Sequence, residues 1–128
     1  MKLQLRDGAA LAALLLCLLA PAAAQAHALL KKTEPARRAQ ITKAPAAVRL
    51  WFSEALEPAF SSVTVVDASG TQVTREPARV STQDPTLLEV ALPALSAGQY
   101  TVRYQVLSVD GHTVKATFTF RVKEPAPE

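Results

Sequence analysis

Beyond residue 27, hydrophobic and polar positions alternate with a period of two along most of the chain. That is the pattern of strands with one face buried. It is clearest late in the sequence. Tyr100, Val102, Tyr104 and Val106 alternate with Thr101, Arg103 and Gln105. Val114, Ala116, Phe118, Phe120 and Val122 then alternate with Lys115, Thr117, Thr119 and Arg121. Earlier, residues 48–53 predict a strand with Val48, Leu50 and Phe52 on one face, residues 62–67 a second, and residues 87–92 a third closed by Pro93. A short first strand is expected over residues 27–30, ending before Glu34-Pro35. Ala68-Ser69-Gly70 supplies a turn, from which residues 71–74 are expected to run back as a hairpin partner. Residues 35–46 and 54–60 read as connections, and residues 75–85, with Pro77 and Pro85, as loop with at most a short edge strand.

About seven short strands with turn signals every 8–12 residues predict an all-β domain, a single Greek-key (immunoglobulin-like) β-sandwich. The expected core is Leu50, Phe52, Val63, Val65, Leu88, Val90, Tyr100, Val102, Tyr104, Phe118 and Phe120. The Cys–Cys and Trp markers of antibody domains are missing, so only the architecture is implied. No internal repeat or second domain is apparent.

The period-two pattern fails over the first 26 residues, which have the parts of a secretory signal. Lys2 and Arg6 make a positive start, residues 9–19 an apolar run too short to span a bilayer comfortably, and Pro21 a helix break. Ala24-Gln25-Ala26 is an A-x-A cleavage site directly ahead of His27. The expected organisation is a signal peptide over 1–26, a sandwich domain over 27–123 and a flexible tail over 124–128, with a periplasmic destination. Leu16 before Cys17 argues against a lipoprotein, which needs a small residue there.

Cleavage changes the available chemistry. Met1 and Cys17 both leave with the signal, so residues 27–128 contain no sulfur. The exported chain cannot form a disulfide or offer the soft thiolate or thioether ligands that Cu(I) prefers. Loss of Lys2, Arg6 and Asp7 takes the net charge from +3 to +2, ordinary for a soluble domain. Export also makes nucleic acid an improbable partner, and a soluble monomer is expected.

The chain has two histidines, His27 and His112. After cleavage at Ala26, the α-amine and imidazole Nδ1 of His27 can close a six-membered chelate ring around one metal ion. The amine, with a reference pKa of about 7.7–8.0, yields its proton readily near neutrality. Asp110-Gly111-His112 sets a carboxylate and an imidazole two residues apart, able to converge, around a glycine that tolerates positive φ. Three nitrogens and one or two oxygens in tetragonal geometry suit Cu(II), the strongest binder of such a set; Zn(II) can occupy the same ligands. Against this, Asp-Gly between alternating strands is an ordinary hairpin signal, and the histidine after it can simply be exposed.

The sequence also resembles the CopC copper-resistance proteins, over essentially all of residues 27–122. The resemblance is carried by His27-Ala28-Leu29-Leu30, Val48-Arg49-Leu50-Trp51-Phe52-Ser53-Glu54, Gly98-Gln99-Tyr100-Thr101-Val102-Arg103-Tyr104, Ser108-Val109-Asp110-Gly111-His112 and Phe118-Thr119-Phe120-Arg121-Val122. It implies a periplasmic copper carrier with a Greek-key fold, one Cu(II) per chain, His27, Asp110 and His112 as ligands, and an inner-membrane CopD-type permease as partner. The Met-rich Cu(I) site of some members should be absent. Tyr104 stands where the resemblance calls for Trp, Ala116 where it calls for Gly, and Arg38 at a turn position often given to Gly.

Glu54 and Glu57 are candidates for orienting an imidazole or are solvated loop carboxylates, and Ser108 for a hydrogen bond near the site. Lys31, Lys32, Arg37 and Arg38 form either a dock for an acidic partner or a solvated face; Trp51 reads as packing. Two other functions compete with copper buffering or transfer. One is a metal-free immunoglobulin-like interaction module. The other is a copper-dependent oxidative enzyme, disfavoured by the short chain and by Asp110 filling the coordination sphere.

Overall fold

The computed structural model describes residues 28–124. His27, the signal-peptide reading and most of the expected tail lie outside the described residues. Eight strands follow in order: β1 (Leu30–Glu34), β2 (Gln40–Ile41), β3 (Ala47–Phe52), β4 (Ser62–Val66), β5 (Arg79–Val80), β6 (Leu87–Ala91), β7 (Gly98–Leu107) and β8 (Thr113–Val122). They form two four-stranded sheets, ordered β1-β3-β6-β5 and β2-β8-β7-β4. The fold is the expected all-β sandwich. Among the described residues, no helix is long and apolar enough to cross a membrane.

Alternation explains the packing. On β7, Tyr100, Val102, Tyr104 and Val106 are buried, and on β3, Val48, Leu50 and Phe52. All eleven expected core residues are buried, joined by Ala28, Leu56 and Val122 among others. Tyr100 stacks on Phe120 at 5.5 Å, and Phe52 meets Tyr104 edge-on at 5.6 Å.

Three expectations need correction. The first strand is Leu30–Glu34 rather than 27–30. The strand runs on through Lys31 and Lys32 because β1 is an edge strand, where lysines are tolerated and discourage further pairing. A register shift between Leu30 and Lys32 lets Lys32 lie 4.8 Å from the Trp51 ring centre. Within residues 35–46, β2 pairs in parallel with the end of β8, a contact too short to leave a periodic signal. Residues 71–74 return beside β4 without becoming a strand. The hydroxyl of Thr74, rather than a backbone carbonyl, accepts the Val65 N–H at 3.4 Å, so the ladder stops at the Val66–Gln72 bridge.

Arg38 adopts φ 60° and donates its backbone N–H to Thr119 O at 2.7 Å. The left-handed conformation that favours glycine is therefore present at this position.

Candidate metal centre

The longest strand pair, β7 with β8, carries the candidate site at its connection. Leu107 pairs with Thr113, and residues 108–112 close the hairpin. Ser108 N–H donates to His112 O at 3.0 Å, and Gly111 N–H to Ser108 O at 2.9 Å. Gly111 takes φ 92°, as the Asp-Gly signal led us to expect. The segment is a turn rather than extended strand, so turn geometry, not strand alternation, brings the two side chains together.

His112 Nδ1 lies 3.3 Å from Asp110 Oδ1. Their side chains are 41% and 30% exposed, while the His112 Nδ1 atom itself is shielded from solvent. Ser108 is fully buried, and its hydroxyl donates to the same Oδ1. That oxygen atom of Ser108 also accepts the His112 N–H at 3.3 Å. The Ser108 hydroxyl is the main cause holding the Asp110 carboxyl below its ordinary range; His112 adds to it, and partial desolvation opposes it. The carboxylate is thus ionised and oriented before any cation arrives.

The segment after β3 ties this turn to the beginning of the described chain. Leu29 N–H donates to Ser53 Oγ at 2.8 Å, and Ser53 N–H to Leu29 O at 2.8 Å. Two residues on, Ala55 O accepts the Val109 N–H at 3.0 Å, and Leu56 bridges Ser108. Ala28 is 1% exposed, which seats the chain in the core one residue after His27.

Among the described residues, Asp110 and His112 are not joined by a third His, Cys, Asp or Glu in a metal-holding group. Glu54 and Glu57 lie half-buried on the connection between β3 and β4, and the Glu57 N–H donates to Leu107 O at 2.8 Å. The side chain placed to orient the site is Ser108, which sequence reasoning treated as secondary. The S-x-D spacing was its only signal. The suspected basic cluster is split: Lys32 belongs to the β1 edge, paired with Glu34 at 3.3 Å, while Arg38 flanks β8 on the other sheet.

The CopC domain model matches residues 30–123. The chain belongs to the CopC family. It is 42% identical to Protein YobA of Escherichia coli strain K12 over 99 residues, 77% of this chain and 80% of that one. It is 33% identical to copper resistance protein C of Pseudomonas syringae pv. tomato, over 83% of this chain and 88% of that one. Among solved structures, CopC from Methylosinus trichosporium OB3b superposes with a TM-score of 0.73 at 32% identity, covering 80% of this chain and 99% of that one. The CopC match thus includes the whole Ser108–His112 turn and begins three residues after His27.

Proposed function

We propose that the protein is a periplasmic Cu(II) carrier that buffers copper or passes it to a membrane partner, a CopD-type permease. In this reading the chain is cleaved after Ala26 and binds one Cu(II) through the His27 amine and imidazole, the Asp110 carboxylate and the His112 imidazole. The observation that carries it is the 3.3 Å approach of His112 to Asp110, at the end of the sandwich where Leu29 is fastened to Ser53. Membership in a family that includes copper resistance protein C supports copper as the cargo. The donor set fits too. Residues 27–128 supply nitrogen and oxygen but no sulfur, which favours Cu(II) over Cu(I).

The turn's role in this reading is positional. Ser108 orients the Asp110 carboxylate, which carries no proton for copper to displace near neutrality, and Gly111 bends the backbone so that carboxylate and imidazole face one ion. A carrier needs nothing more, whereas a copper-dependent oxidase would require turnover with a reductant.

The test is Cu(II) titration of the chain beginning at His27, beside a form with one extra residue before it, read by electron paramagnetic resonance and Trp51 fluorescence. One tight equivalent that the extension weakens strongly is the expected result. Equal binding by both forms removes the N-terminus from the site. Absence of binding by either leaves the metal-free interaction module.

A further inference from the structure

We infer that the outer face of the β2-β8-β7-β4 sheet is a docking surface for an anionic lipid bilayer, whose headgroup phosphates sit in two cation-lined depressions. This does not depend on copper binding.

The two sheets present their charges to solvent differently. Outside β1 and β3, charges of both signs are joined: Lys32 to Glu34 at 3.3 Å, Glu34 to Arg49 at 3.8 Å, and Arg49 to Glu89 at 3.5 Å. Among the described residues, the other sheet has no such network. None of β2, β4, β7 and β8 contains an Asp or Glu, and their cations, Arg103, Lys115 and Arg121, are all exposed. The remaining outward positions on β7 and β8 are mostly Thr and Gln.

The cations bracket two shallow depressions. One, of about 380 Å³, has Arg103 and Lys115 together with the hydroxyls of Ser62, Thr64 and Thr117. The second, of about 110 Å³, has Arg38 and Arg121 with Gln40, Gln99 and Thr119. Each combines two positive charges with neutral hydrogen-bonding groups, the chemistry of a phosphate seat. Register places Thr117 opposite Arg103 and Arg121 opposite Gln99, so the seats lie about 13 Å apart along the sheet.

A planar anionic surface fits this layout best. A small soluble anion would need only one seat, and a second copy of the chain would bring the same charge. The exposed large hydrophobics, Leu29, Phe60 and Val109, lie on or beside the segments around the metal turn rather than on this face. Attachment would therefore be electrostatic, without insertion, and weakened by salt.

Metal-free protein is sedimented with phosphatidylglycerol–phosphatidylcholine vesicles and with phosphatidylcholine alone, at low and high salt. The expected result is binding to the anionic vesicles only, lost at high salt. The variant Arg103→Gln/Lys115→Gln/Arg121→Gln should bind weaker by on the order of tenfold or more. Lys31→Gln/Lys32→Gln/Arg79→Gln, with the same net-charge change, should keep binding. Circular dichroism checks the fold, and Lys115→Gln alone should move binding in the same direction. Equal binding to both vesicle types, equal loss in both triple variants, or binding to polyglutamate but not to vesicles overturns the proposal; the last result would point to an acidic protein instead.

Discussion

The hydroxyl of Ser108, a residue with no solvent exposure, donates to the surface carboxylate of Asp110 two residues on. A core position thereby orients a group that faces solvent and lowers its carboxyl pKa. The same oxygen accepts the His112 N–H, so one buried side chain fixes both of the turn's candidate ligands.

Ser108→Ala removes that donor and that acceptor together. Loss of the hydrogen bonds should destabilise the metal-free fold by about 1 kcal/mol in urea unfolding. Copper affinity should fall by about tenfold to a hundredfold, because partners that orient a ligand matter nearly as much as the ligand. Unchanged copper affinity would detach Ser108 from the site.

Gly111→Ala separates backbone conformation from sterics. A Cβ at this position meets nothing within 4 Å, so the cost comes only from φ 92°. Stability should fall by about 1 kcal/mol. Copper binding should suffer more than that figure implies, since relief of the strain turns Asp110 away from His112. Urea midpoints and copper titration on one preparation would show both effects.

Three aspartates, Asp67, Asp84 and Asp110, share one device. Each accepts from a hydroxyl two residues away, Ser69, Thr86 or Ser108, which is the largest cause of a lowered carboxyl pKa. A carboxyl depressed in the folded state contributes stability above its unfolded value, near 3.8, and loses it as pH falls through the folded value. Urea midpoints of metal-free protein should therefore hold from neutral pH down to about 5 and then drop steeply below about 4. Replacing all three by Asn should flatten that drop; a drop of unchanged size would assign the acid sensitivity to other groups.

Much of this structure was legible beforehand, and the gaps have physical causes. The β7–β8 pair was readable because alternation runs from Gln99 to Val106 on β7 and along the whole of β8. β2 was not, since a two-residue strand carries no period and owes its pairing to a neighbour, whereas β5, equally short, was legible only as an edge strand within residues 75–85. The return after Gly70 misled because Thr74 offers a side chain where a ladder needs a carbonyl. For the site, Asp110-Gly111-His112 was visible as a spacing, but the contribution of Ser108 depends on its burial, which only the packed sheets determine.

Tyr104 and Ala116, the two core departures from the family resemblance, turn out to be direct cross-strand partners. Paired residues on one face hold their Cβ atoms about 4.5–5.5 Å apart, so their sizes are coupled. Tyr104 is 5% exposed and already packed edge-on to Phe52 at 5.6 Å, which leaves little room for growth. Tyr104→Trp alone should overpack this corner and cost about 1–3 kcal/mol. Ala116→Gly alone should also destabilise the strand, by about 0.5–1 kcal/mol, because glycine loses more entropy on ordering. Combined, the two changes restore a large residue facing a small one, and the double variant should be more stable than the sum of the single losses predicts. A double-mutant cycle in urea measures that coupling. Strict additivity would mean that Trp fits against Ala116 unaided and that the two departures arose independently.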